Sequence, residues 1–217
     1  FNIYNSVDST NIRMKEFAEN GAPEWSLVIS ESQTTGKGRL GRTFFSPSDT
    51  GIYMTILLRP SISPEDTTKI TTAMAVAVAE TIEDVSGQKT NIKWVNDVYI
   101  SDKKVCGILT ESSFDAKTNT LKYAIVGVGI NVYNPSDNFP DDIKNIAGYI
   151  FSERNKDTKN RIIAGVLDRF SEYYKNIEKN SYFENYKKRL LWIGEKINII
   201  SPKGTTPALL RGIDENC

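Results

Sequence analysis

The segment Thr35-Gly36-Lys37-Gly38-Arg39-Leu40-Gly41-Arg42 threads three cations through three glycines. Glycines let backbone N–H groups approach an anion closely, and Lys37, Arg39 and Arg42 would neutralise its charge. A solvated basic loop would carry the same residues, so composition alone leaves both readings open. The spacing matches G-x-G-x-x-G, but the phosphate turn of a dinucleotide-binding fold must open directly into a helix. Here Thr43-Phe44-Phe45-Ser46-Pro47-Ser48-Asp49-Thr50-Gly51 follows, a run of turn formers, and no G-K-[ST] completes a P-loop. The segment reads as a flexible cationic loop between two strands.

Three other stretches could do chemistry. Asp8-Ser9-Thr10-Asn11 sets small polar side chains at a strand-to-helix junction, as a helix cap or a polar subsite. Lys93-Trp94-Val95-Asn96-Asp97 is followed by Lys104 and Gly107, and adjacent hairpin strands could aim Lys93 and Lys104 at one pocket. Gly127-Val128-Gly129-Ile130-Asn131 is a strand end open to a ligand's close approach, or simply a tight strand exit. The chain has no histidine, which removes Ser-His-Asp and Cys-His catalysis, histidine general bases and histidine zinc sites. Any chemistry must run on lysine, arginine, carboxylates and backbone amides.

The elements that must position these residues can be read from pattern. The 217 residues, 39% hydrophobic with 10 Tyr, 9 Phe and 3 Trp, suit one large domain, or one domain plus a small appendage. Lys+Arg and Asp+Glu balance at 27 each, so no global field draws the chain to nucleic acid or membrane. No apolar run approaches the roughly 18 residues of a membrane span. Cys106 and Cys217 make no disulfide framework and fit a reducing, cytoplasmic setting. A start at Phe1 rather than Met is compatible with a leader or domain upstream.

Strands are expected at 1–4, 27–29, 53–58, 91–94, 98–101, 105–111 and 121–128, with turns near Asp102 and over 115–119. Helices are expected from the Asp8-Ser9-Thr10 cap to about Asn20, and from Ser63-Pro64-Glu65-Asp66 to about Val85, closed by Gly87. Apolar residues at three- and four-residue spacing predict a helix over 158–179, and a shorter one follows over 183–191. Beyond Trp192 the texture alternates, with strands expected at 196–200 and 208–211. The whole is an α/β chain with a short all-β tail.

Taken together and in order, these motifs resemble the catalytic region of the biotin–protein ligase, or biotin–[acetyl-CoA-carboxylase] ligase, family. Its S-T-N element stands at Ser9-Thr10-Asn11 and its glycine-arginine loop at Gly36 to Arg42. The K-W-P-N-D element stands at Lys93 to Asp97, followed by Lys104 and Gly107-Ile108-Leu109-Thr110-Glu111, and G-x-G-I-N at Gly127 to Asn131. Lys37, Val95 and Phe44 depart from the usual arginine, proline and tryptophan. The resemblance implies a mixed, largely antiparallel sheet with packed helices, the class II synthetase-like architecture, over 1–191. Residues 192–217 would be a truncated part of an SH3-like β-domain.

By the same resemblance, ATP activates biotin to biotinyl-5′-AMP, and the biotin passes to a lysine of a biotin carboxyl carrier protein. Lys104, Arg39 and Asp97 would be catalytic, Asp97 either orienting Lys104 or binding the acceptor lysine. Ser9, Thr10, Asn11, Gln33, Lys37, Gly38, Arg39, Lys104 and Gly107 would bind biotin. Gly36, Arg42, Lys93, Asn96, Gly129 and Asn131 would bind ATP or the adenylate. Mg2+ would ride on the phosphates, with no dedicated metal site. No DNA or membrane partner is implied for this chain, and a homodimer is compatible with the family. The rivals are a lipoate or octanoate ligase-like transferase, against which the loop sequence argues, and a biotin-sensing regulator, which would need a DNA-binding region upstream of Phe1.

Overall fold

The computed structural model describes residues 1–115, 117–118, 120–201 and 204–214. Cys217, expected as a tail thiol, and Ala116 and Asn119 of the expected turn lie outside the described residues. Nine strands are described, at Asn2–Tyr4 (β1), Leu27–Ser30 (β2), Gly51–Leu58 (β3), Thr90–Lys93 (β4), Asp97–Ile100 (β5), Lys103–Asp115 (β6), Thr120–Asn131 (β7), Lys196–Ser201 (β8) and Gly204–Leu209 (β9). The helices are Thr10–Glu19 (α1), Thr67–Ser86 (α2), Thr158–Lys175 (α3) and Phe183–Lys187 (α4).

Strands β1 to β7 form one sheet in the order β1-β2-β3-β7-β6-β5-β4. The β1–β2 pair is parallel and every other pair is antiparallel, giving the mixed, largely antiparallel sheet expected. The long apolar helix α2 packs on one face. Ala73 to Ala79 are all fully buried, which accounts for a continuous apolar run where a surface helix would carry a stripe. α3 covers α2 with Ile162, Val166 and Phe170 at four-residue spacing. On the opposite face lies α1, whose Met14 and Ala18 meet Val28, Leu57 and Ile125. Because α1 is only ten residues long, it leaves much of that face open.

Element ends differ from expectation for physical reasons. Pro64–Asp66 forms a 3-10 turn, with Ser63 donating to Asp66 at 2.9 Å, so α2 begins at Thr67. α3 stops at Lys175, a 3-10 turn covers Ile177–Lys179, and Asn180 adopts φ 51°. α4 stops at Lys187 because the chain straightens to pair with β4: Ile92 N–H donates to the Arg189 carbonyl at 2.7 Å, and Leu191 N–H to the Ile92 carbonyl at 2.9 Å. β9 spans 204–209 rather than 208–211, since its register with β8 runs from Lys196↔Leu209 to Ser201↔Gly204. β6 and β7 outrun their expected bounds because they pair with each other along most of their length.

Candidate functional site

The open part of the sheet beside α1 holds a cavity lined by residues of all four motifs. Its polar end is built by α1. Thr10 N–H and Oγ donate to Gln33 Oε1 at 2.8 and 3.1 Å, and Gln33 Nε2 donates to Ser46 Oγ at 2.9 Å. Asn11 Nδ2 donates to Glu111 at 2.7 Å, while Thr55 Oγ lies within hydrogen-bond distance of both Thr10 Oγ and Asn11 Oδ1. Asn11 fits because β7 carries glycine opposite it: a Cβ on Gly127 would lie 2.1 Å from Asn11 Oδ1. The Ser9 hydroxyl is different. It lines the cavity and has no hydrogen-bond partner among the described residues.

The cationic wall is the glycine loop folded into a small hairpin. Gly38 N–H donates to the Arg42 carbonyl at 2.7 Å, Phe44 N–H to the Gly36 carbonyl at 2.8 Å, and Lys37 bridges to Thr43. Lys37, Gly38 and Arg39 face the cavity, and Arg39 reaches across to donate to Asn96 Oδ1 at 2.8 Å. Asn96 is anchored in turn, its Nδ2 donating to the Ile108 carbonyl at 2.8 Å. Phe44 leaves the loop and lays its ring over paired glycines of β6 and β7. Cβ atoms at Gly107 and Gly129 would lie 3.2 and 2.6 Å from that ring.

Lys104 supplies the remaining cation, and a β-bulge aims it. On β5 the register runs Val98↔Cys106 and then Tyr99↔Lys104, leaving Val105 as the extra residue. Val105 and Cys106 are consecutive yet both buried in the core under α2, while Lys104 lines the cavity with Gly107. Strict alternation would place Val105 on the cavity face and Lys104 in the core. Asp97 sits beside it, with Lys104 Nζ to Asp97 Oδ1 at 2.7 Å and both side chains largely shielded from solvent. Cys106 is fully buried, and burial pushes its thiol well above the ordinary range.

Of the sequence-predicted residues, the structure therefore gathers Ser9, Thr10, Asn11, Gln33, Lys37, Gly38, Arg39, Asn96, Lys104, Gly107 and Gly129 around one cavity, with Asp97 behind Lys104. Four lie elsewhere. Lys93 sits over the Trp192 ring at 5.2 Å, so it does not share a pocket with Lys104. Arg42 is exposed at the base of the hairpin. Gly36 is buried beneath the loop, where a Cβ would lie 2.4 Å from the Phe44 carbonyl oxygen. Asn131 points away to donate to the Gly148 carbonyl at 2.9 Å. Sequence reading missed Thr55 and Ser46 as parts of the polar network and Phe44 as its apolar floor. Thr55 had a signal: a fully buried hydroxyl interrupting an apolar strand needs a partner.

A family model described as the biotin/lipoate A/B protein ligase family matches residues 4–131, more than half of the chain and all four motifs. The chain belongs to that family. Among its members, the bifunctional ligase/repressor BirA of Bacillus spizizenii is 36% identical over 98% of this chain, which spans 66% of that relative's length. The biotin–[acetyl-CoA-carboxylase] ligase of Mycobacterium tuberculosis is 26% identical over 95% of this chain and 77% of its own. The biotin protein ligase from Aquifex aeolicus in complex with biotin and ATP superposes with a TM-score of 0.73 at 25% identity, covering 96% of this chain and 95% of that one. The last two bear biotin ligase names, and the Aquifex structure holds biotin and ATP. No helix among the described residues is long and apolar enough to cross a membrane.

Proposed function

We infer that the chain is the catalytic unit of a biotin–protein ligase. It would form biotinyl-5′-AMP from biotin and ATP, and then transfer the biotinyl group to a lysine of a biotin carboxyl carrier protein. One observation carries this reading: a single cavity is lined both by neutral hydrogen-bonding groups, Ser9, Thr10, Asn11 and Gln33, and by the cations Lys37, Arg39 and Lys104. A ureido ring needs the first set and a carboxylate meeting a phosphate needs the second. Two anions must be brought together, and at 4 Å each unit-charge contact is worth about 4 kcal/mol at an effective dielectric of 20.

In the first step a carboxylate oxygen of biotin bonds to the α-phosphorus and the bond to pyrophosphate breaks. Lys104 lies against the oxygens that carry this charge, oriented by Asp97. Arg39 and Lys37 close over the adenylate from the hairpin and exclude water. In the second step the acceptor amine bonds to the activated carbonyl, AMP leaves, and the amine gives up a proton. Magnesium would accompany ATP and offset part of the phosphate charge. The described residues include no group of three or more Cys, Asp or Glu side chains placed to hold a metal. Residues 1–191 form the catalytic domain in this reading, and 192–217 contribute part of a β-domain whose Trp192 touches Lys93. Names of relatives and of a solved neighbour support biotin over lipoate. The test is biotin-dependent ATP–pyrophosphate exchange, with lipoate and octanoate as competing substrates.

A further inference from the structure

Lys104 stands where the sheet runs out of partners. On one side β5 pairs with it through Tyr99. On the other side β7 ends at Asn131, and the last β6–β7 pair is Cys106↔Ile130. The vacant edge is taken by a strap at residues 146–148. Lys104 N–H donates to the Ile146 carbonyl at 2.8 Å, and Gly148 N–H donates to the Lys104 carbonyl at 2.8 Å. The strap is itself held from the end of β7. Asn131 Nδ2 donates to the Gly148 carbonyl at 2.9 Å in a buried bond, and Ile150 N–H donates back to the Asn131 carbonyl at 3.2 Å. Gly148 is buried against the same segment: a Cβ there would lie 2.4 Å from Lys103 Cβ.

Neither Asn131 nor Gly148 lines the cavity that holds the Lys104 ammonium. We propose that Asn131 and Gly148 are positioning residues, which through the strap hold the bulged backbone that sets Lys104 against Asp97 and the cavity. Side chains alternate with period two, so a one-residue slip at the bulge would turn Lys104 off the cavity face. A strand edge with no partner on one side resists such a slip poorly, and the strap supplies that partner. The proposal rests on the reading of Lys104 given above, but the geometry it names is independent of what the cavity binds.

The test uses Asn131→Ala and Gly148→Ala in the full chain, with Asn131→Asp, which keeps the volume and loses the donor, should either fail to fold. Acetic anhydride labelling of Lys104, mapped by peptide mass and normalised to exposed Lys188, reads the ammonium's placement without any ligand. Pyrophosphate exchange reads kcat separately from the KM for biotin and ATP. Lys104 labelling should rise at least about threefold and kcat fall at least about tenfold, with both KM values within about twofold of the parent. Labelling and kcat both within about twofold of the parent in the folded variants would overturn the proposal. A rise in ATP KM confined to Asn131→Ala, with Gly148→Ala silent, would also overturn it and make Asn131 a nucleotide contact. If the parent shows no biotin-dependent exchange, the functional reading fails, and the labelling ratio still decides the positioning claim.

Discussion

Lys104→Ala removes the cation that the bulge delivers to the cavity, and its cost can be estimated from the site. At 4 Å and an effective dielectric of 20, one carboxylate or phosphate oxygen charge gains about 4 kcal/mol from the ammonium. Only the share realised in the transition state slows the reaction, and taking half to all of one contact gives about 2–4 kcal/mol. At about 1.4 kcal/mol per decade this is roughly 30- to 1000-fold. Asp97 adds to the loss. Its carboxylate, 2.7 Å from Lys104 and only 21% exposed, is left as an uncompensated anion beside two incoming anions. At a distance of roughly 6 Å it would repel each by about 3 kcal/mol at the same dielectric, and half of one such contact realised in the transition state is about 1.5 kcal/mol, or roughly tenfold. Lys104→Ala should therefore lower the rate of pyrophosphate exchange by about a thousandfold, and adding Asp97→Asn should restore about tenfold of it. The assay is steady-state exchange at saturating biotin and ATP, with melting temperature as the check on folding. Exchange by Lys104→Ala within about tenfold of the parent would refute the assignment of Lys104. A double variant no faster than the single one would refute the coupling to Asp97.

Gly127→Ala places a Cβ 2.1 Å from Asn11 Oδ1, so it should evict Asn11 and raise the KM for biotin at least about tenfold, read by the same exchange assay. Arg39→Gly breaks the 2.8 Å bond to Asn96 that closes the hairpin, and should release biotinyl-5′-AMP to label bystander lysines, scored by streptavidin blotting. Hydrogen exchange over residues 35–43 should slow when biotin or the adenylate binds, as for a closing lid; unchanged protection would count against that role. Glu83 is partly buried, which raises its carboxyl, but bonds from Arg189 and Thr90 outweigh this and hold it below the usual range. Its contribution is thus complete above the unfolded value and is lost as pH falls through the folded one. Glu83→Gln should cost about 2 kcal/mol at pH 7 and flatten the acid limb of the stability profile below about pH 4.5, measured by urea unfolding.

How much of this was readable from sequence depends on the distance over which each cause acts. The loop's job was limited by its immediate neighbours, since no helix could follow Arg42. α2 was legible because Ala73 to Ala79 leave no polar face. The convergence of Ser9 to Asn11, Gln33 and Lys104 was not contained in any one motif; it came from the order of four motifs together. The placement of Lys104 depends on a bulge at Val105, and a bulge has no residue signature. That also explains Lys93. Hairpin reasoning put both lysines at one pocket, but Lys93 turns to Trp192, an aromatic read from sequence only as a boundary landmark. Asn131 closes a glycine motif and was read as a nucleotide contact; its amide bonds to Gly148, which lies in a connection with no periodic pattern. α4 ended early because 189–191 pair with β4, a tertiary demand that helical periodicity does not register.

The central claim is that this cavity activates biotin with ATP, and isotope exchange between pyrophosphate and ATP measures that step without needing the carrier protein. The account predicts that label enters ATP only when biotin is present, that lipoate and octanoate do not substitute for it, and that Lys104→Ala abolishes most of the exchange. Exchange driven by lipoate or octanoate but not biotin, exchange without any carboxylic acid, or no exchange by the folded protein would contradict it.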